Sequence, residues 1–217
     1  MPRKQIKDQR KIELIEANIA SIAKHGLTET TITHVSGEAG MSRGIISFYF
    51  DGKEAMMQST LAHMLDQMEK SWRTHINNLK LTKEDKLQKL IEVHFNSVNC
   101  SHRRLSVLIA FLGHASSHKE YKELVNTYDL KLQEAFKTLM PRASDTLLPV
   151  VIKGLWLQLA LAPKAMDRKL VSALCLSMLN IKASAKPVKV KGKGKAKTSA
   201  AKPIRQMDFE DLLKGTG

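Results

Sequence analysis

The stretch from Lys53 to Leu79 holds 27 residues without a proline or glycine, and its apolar side chains return every three or four positions: Met57, Leu61, Met64, Leu65, Met68, Trp72, Ile76 and Leu79. That period is helical, and the length corresponds to a rod of about 40 Å. A rod with one apolar stripe is stable only when other elements cover the stripe. The rest of the chain supplies them with the same spacing. Ile12, Ile15, Ile19 and Ile22 share one helix face that Gly26 ends, and Ile32, Val35 and Ala39 line a short second helix. Roughly Arg43 to Phe48 forms a third. Thr82 to Asp85 reads as a capping box opening a helix through Leu87, Leu90, Ile91, Phe95 and Val98. Ser101 caps the next, through Leu105, Leu108 and Leu112, and Ser117 to Glu120 is a further capping box whose helix runs to Pro141. Leu147 to Leu161 places Val151, Leu155 and Leu159 on one face, with Pro149 near its start, and Asp167 caps Arg168 to Asn180. No period-two alternation and no internal repeat interrupts the series. The expectation is an all-α fold of about nine helices.

Charge separates the chain into unequal parts. The net charge over 217 residues is +14, yet residues 1–53 carry eight Lys/Arg against six Asp/Glu. From Lys182 to Gly217 there are ten Lys/Arg against three Asp/Glu, in a run rich in Lys, Ala and Gly with few sizeable apolar residues. Such a segment buries too little to offset its chain entropy, so 182–217 is expected to be a disordered tail. Its lysines suit sequence-indifferent contacts to phosphates, or simply a solvated tail. Cys100 and Cys175 have no ligand-like spacing and read as reduced thiols of a cytoplasmic protein. The charged N-terminus lacks the apolar stretch of a secretory signal, and no apolar run is long enough to cross a bilayer. No phosphate-binding glycine loop, nucleophile elbow or paired-carboxylate signature is present, so neither enzyme nor cofactor is expected. His114 and His118 lie four apart, but Ser117 breaks the helix between them and no third metal ligand is near in sequence.

The chemistry concentrates in Thr31–Phe50. Its first short helix buries Ile32, Val35 and Ala39, Gly40 permits a reversal, and Ser42 caps a second helix that buries Ile46 and Phe50. Arg43, Gly44, Ile45, Ser47 and Tyr49 then face outward. A cation, a bare backbone and hydroxyls on one short helix suit a DNA major groove, where Arg43 can bond guanine edges or phosphate. An ordinary helical hairpin with a polar face would show the same spacing.

The stretch TTITHVSGEAGMSRGIISFYFDGKEAMM resembles the N-terminal signature of the TetR family of repressors. Within that family, Gly44-Ile-Ile-Ser47 with its following aromatics is similar to the choline-responsive, BetI-type branch. Lys153-Gly-Leu-Trp-Leu157 is similar to an Asp-Gly-Leu-Trp-Leu segment in the same branch. The resemblance spans about residues 7–181. It implies a helix-turn-helix head at 1–52 with its motif at 31–50, a helical effector-binding and dimerisation body at 53–181, and a near-palindromic double-stranded DNA operator. It also implies that Thr31, Thr33, Arg43, Gly44, Ile45, Ser47, Tyr49 and Lys53 contact DNA, and that the eighth and ninth helices pair two copies into a homodimer. Where that branch carries two tryptophans, Leu108-Ile-Ala-Phe-Leu112 keeps only Phe111. A cage for a choline-like cation, which ring faces attract, would therefore draw on Trp72, Phe111, Tyr128 and Trp156. A regulator of an unrelated small hydrophobic ligand, and a non-specific nucleoid-type DNA-binding protein, are the other readings.

Overall fold

The computed structural model describes residues 3–140, 144–162 and 167–178, all within one compact unit, Met1–Ala183. The tail expected at 182–217 lies outside the described residues, which contain nine helices and no strand. These are α1 (Arg3–His25), α2 (Ile32–Ala39), α3 (Arg43–Tyr49), α4 (Gly52–Ile76), α5 (Lys83–His94), α6 (His102–His114), α7 (Lys119–Leu139), α8 (Ser144–Leu161) and α9 (Arg168–Met178). The all-α expectation holds.

Local chemistry accounts for most helix ends. Gly26, at φ 88°, follows α1 in a backbone region open to glycine. At α5 the Thr82 hydroxyl accepts from the Asp85 amide at 3.1 Å while the Asp85 carboxylate accepts from the Thr82 amide at 3.4 Å. Ser101 caps α6 through the Arg104 amide, and Asp167 accepts from the Lys169 amide at 2.8 Å. The box expected at Ser117 does not form. The Ser117 hydroxyl bonds back to the His114 carbonyl at 3.2 Å, and His118 occupies the N-cap of α7 without a side-chain bond. The hydroxyl is committed to a carbonyl at the end of α6 and does not cap the amides of α7. Two other ends fall short of their apolar pattern. The helix α4 stops at Ile76, leaving Leu79 93% exposed, and α5 stops at His94, leaving Val98 70% exposed.

Packing places α4 at the centre, against α1, α5 and α7. Met56, Met57, Leu61, Met64, Leu65, Met68 and Trp72 are its buried stripe. The joint between α1 and α4 is polar: Asn18, fully buried, donates to the Thr60 hydroxyl at 2.8 Å. Arg104 of α6 clamps Glu16 of α1 at 3.1 Å. The helix α8 runs through Pro149 and turns Leu148, Ile152, Trp156 and Leu159 inward; of the expected face Leu159 is buried, while Val151 and Leu155 are half-buried beside Ile152 and Trp156. Leu147, Val150, Leu157 and Leu161 are left exposed on its other side, and α9, which packs on α8, exposes Leu170 and Leu174.

Candidate functional site

The α2–α3 hairpin is held by short-range bonds that leave its outer face free. The Thr31 hydroxyl accepts from the His34 amide at 3.2 Å and the His34 ring accepts from the Thr31 amide at 3.4 Å. His34 also stacks on His25 of α1, with centroids 4.1 Å apart. Thr31 is thus the N-cap of α2, and its side chain remains exposed, as does that of Thr33. Gly40, at φ 61°, reverses the chain while the Met41 amide bonds to the Ser36 carbonyl at 3.0 Å. Ser42 starts α3 without using its hydroxyl as a cap.

Ile46, with no exposure, and Phe50, at 5%, anchor α3. Arg43, Gly44, Ile45 and Ser47 are all exposed, which brings four of the expected contact residues onto one presented surface. At Gly44 an added Cβ would meet only the Ser42 hydroxyl, at 3.9 Å. Packing within the protein therefore does not require glycine there, and the bare backbone is available to something outside. Tyr49 is only half-buried, with its ring edge-on to Phe48 at 5.1 Å. Lys53 departs from a free phosphate contact: its ammonium donates to the Thr28 carbonyl at 2.7 Å, tying the first turn of α4 to the α1–α2 loop. Two of its three donors remain.

Three residues that sequence reasoning passed over complete this surface. Phe48, expected only as a helix end, is 69% exposed, and the Lys7 ammonium lies 5.2 Å from its ring centroid. Arg10 lines a groove of about 610 Å³ together with Gly40, Ser42, Gly44, Ile45 and Phe48. The signal was present in the spacing: Lys7, Arg10 and Lys11 sit at i, i+3 and i+4 on α1, and Lys7 and Lys11 continue the line of the buried Asn18 and Ile22 toward α3.

In the body, two of the four expected effector residues, Tyr128 and Trp156, meet on a residue that sequence reasoning did not single out, His94. The Tyr128 phenol bonds His94 Nε2 at 3.0 Å, and Trp156 stacks on the imidazole at 5.8 Å. Trp156 Nε1 donates to the His94 carbonyl at 2.8 Å, which also accepts from the Cys100 thiol at 2.6 Å. Trp72 turns its indole toward the same phenol, although its Nε1 closes no hydrogen bond. The imidazole Nδ1 bonds the Leu90 carbonyl, which can only accept, so Nδ1 carries the proton and Nε2 accepts from Tyr128. Burial pushes His94 down to about 4, against the opposing Leu90 bond, and pushes the Cys100 thiol up to about 12. Burial also raises the Tyr128 phenol above its ordinary value. These groups are neutral and paired with one another inside the core.

Phe111 is not part of this cluster. It packs edge-on against Tyr121 at 5.3 Å, and Tyr121 stacks on His118 at 5.1 Å. That ring ladder stands beside a cleft lined by Thr28, Lys53, Glu54, His114 and Tyr121, where the α1–α2 loop meets the body. His114 and His118 straddle the end of α6 and the cap of α7, and among the described residues no group of three His, Cys, Asp or Glu is placed to hold a metal. A carboxylate follows Tyr128 on α7 and acts on its phenol. Asp129, next to Tyr128, pairs through Oδ2 with Lys153 of α8, and its Oδ1 is buried without a partner.

Residues 14–60 match the bacterial regulatory proteins of the tetR family, and residues 83–181 match the C-terminal domain of BetI-type transcriptional repressors. The HTH-type transcriptional regulator BetI of Brucella canis is 26% identical over 195 residues, covering 86% of this chain and 98% of that protein. A transcriptional regulator from Pseudomonas aeruginosa PAO1 superposes with a TM-score of 0.69 at 22% identity, over 80% of this chain and 89% of that one. A regulator from Saccharomonospora viridis, solved in complex with choline, superposes with a TM-score of 0.68 at 14% identity, over 80% and 96%. Among the described residues no helix is long and apolar enough to cross a membrane. With its helix-turn-helix hairpin and its BetI-type helical body, the chain belongs to the TetR family of bacterial transcriptional regulators.

Proposed function

We propose that the protein is a cytoplasmic homodimeric repressor whose residues 1–52 read a near-palindromic operator and whose residues 53–181 sense a choline-like cation. Thr31, Thr33, Arg43, Gly44, Ile45, Ser47 and Tyr49 form the reading face, Lys53 adds a phosphate contact through its remaining donors, and the lysines of 182–217 add contacts indifferent to sequence. The dimer reading rests on the exposed apolar stripe of α8. Leu147, Val150, Leu157 and Leu161 fall at i, i+3, i+10 and i+14, with exposed Gly154 between them, on a helix packed against the equally exposed Leu170 and Leu174 of α9. A second copy of the same surface would cover both stripes.

The observation that carries the sensing half is the meeting of Tyr128 and Trp156 on His94, with Trp72 directed at the Tyr128 phenol and an Asp129 oxygen left without a partner on the next residue of α7. A quaternary ammonium offers no hydrogen bond, so ring faces and a neighbouring carboxylate are what can hold it. Each of the three rings is at most 3% exposed, so a ligand must part them to enter. Trp72 and Lys53 sit on the same rod, α4, with Lys53 tied to the head at Thr28. A ligand that displaces Trp72 would tilt α4, change the separation of two heads and favour the DNA-free state by its differential affinity.

The test is titration of choline, betaine aldehyde and glycine betaine into a complex of the full-length protein with an operator selected from random duplexes. Release of DNA by one of them is expected, weakened in Trp156→Ala and less so in the better-packed Trp156→Phe. If none binds at millimolar levels, the cation reading falls. A small hydrophobic effector would then take its place, a reading favoured by the apolar Leu108, 1% exposed, in the α6 stretch. If choline acts and both Trp156 variants respond unchanged, the site lies elsewhere.

A further inference from the structure

An exposed phenylalanine on a helix of polar and small residues needs an explanation, because a chain in water gains by covering such a ring. Phe48 is 69% exposed on α3, whose inward anchors are Ile46 and Phe50. It is held in place: Tyr49 meets it edge-on with planes at 86°, and Lys7 of α1 approaches it at 5.2 Å. One turn earlier, Gly44 leaves the flank of the ring open, and Ile45, 41% exposed, adds a second apolar wall to the same groove. Arg10 lines that groove and Lys7 borders it, so the surroundings are cationic.

We propose that Phe48 reads the 5-methyl group of one thymine in each operator half-site. The inference rests on the reading of α3 as the helix that enters the major groove. In that groove only thymine presents a methyl, and an aromatic side chain recognises it by apolar contact where hydrogen-bonding residues are blind to it. The flanking ammonium and guanidinium suit the phosphates on either side, so the ring approaches bases through a surface that DNA already attracts. Arg43, one helical turn and a residue away, would read or clamp a neighbouring position, giving α3 one polar and one apolar reader.

The experiment uses the full-length protein and an operator selected from a random duplex library. Each thymine is replaced in turn by deoxyuridine, which removes the methyl and leaves the base pair unchanged, and affinity is read by fluorescence anisotropy. One thymine per half-site should show a loss of roughly fourfold on this replacement, the value of one buried methyl contact. Phe48→Ala should bind uracil and thymine operators equally, and Phe48→Leu should keep part of the preference. Because Phe48 is exposed, both variants should melt with the wild type. A flat scan in the wild type, or an equal uracil penalty in Phe48→Ala, overturns the assignment. Arg43→Ala run in parallel separates the two levels. If it weakens binding while the scan is flat, only the role of Phe48 fails. If it too leaves affinity and selected sequence unchanged, α3 is not the reading helix and both fall.

Discussion

The His94 imidazole provides a test of the buried core that needs no ligand. It has no solvent exposure, and burial holds it neutral down to about pH 4, whereas an ordinary histidine titrates near 6.5. Above 6.5 the ring is neutral in both folded and unfolded chains, and its pairing with Tyr128 and Leu90 stabilises the fold in full. As the pH falls from 6.5 toward 4, the unfolded chain takes up a proton that the native core refuses, and stability drops. The slope approaches 1.4 kcal/mol per pH unit, so the loss by pH 4 is about 3 kcal/mol for each protomer. His63, which burial also lowers, works in the same direction, so the measurement must be a difference. His94→Gln keeps one donor and one acceptor but cannot titrate. Urea unfolding at fixed protein concentration, required because a dimer's stability depends on it, should be run from pH 7.5 to 4 on both proteins. The variant should lose markedly less stability than the wild type between 6.5 and 4. Parallel profiles would show that His94 is accessible to protons in the native state, and the closed core around Tyr128 and Trp156 would be wrong.

Two further outcomes test other parts of the structure. Val150→Glu places a charge in the exposed α8 stripe, and burying it unpaired would cost several kcal/mol per copy. Sedimentation should show a folded monomer, and an unchanged dimer would place the interface elsewhere. Gly40→Ala meets nothing within 4 Å, so its cost is the left-handed backbone alone, about 1–2 kcal/mol in thermal or urea unfolding. Gly40→Asn should lose less, and no loss in either would mean the α2–α3 turn is not held at φ 61°.

Whatever depends on neighbours in the chain was readable before any coordinates. Helical period, the breaks at Gly26 and Gly40 and the caps at Thr82, Ser101 and Asp167 involve groups no more than a few residues apart, so local bonding decides them. The outward set of α3 was legible for the same reason: Ile46 and Phe50 anchor one side of a single helix, and Arg43, Gly44, Ile45 and Ser47 must fall on the other. Failures began where a third element intervened. Lys53 found the Thr28 carbonyl 25 residues back, whereas the Ser117 misreading was local, a choice between the end of α6 and the start of α7. At α8 Ile152 and Trp156 took the buried places expected for Val151 and Leu155 while Leu159 kept its own, because a helix apolar nearly all round has no inward side until α6, α7 and α9 are packed against it. Phe111 and Trp156 were equally plausible ring donors in sequence, and only the fold sent one to Tyr121 and the other to His94. His94 itself carries no signature as a lone histidine in an apolar stretch. Its role arises because α5, α7 and α8 bring a carbonyl, a phenol and an indole to one buried ring, and burial then removes the proton that water would have supplied. The sequence by itself determined the helices, most of their breaks and the exposed face of α3, since those follow from bonds within a turn or two. The tertiary structure alone decided which rings meet, which side of α8 is left open and which titrating groups are silenced, since those follow from burial among residues far apart in the chain.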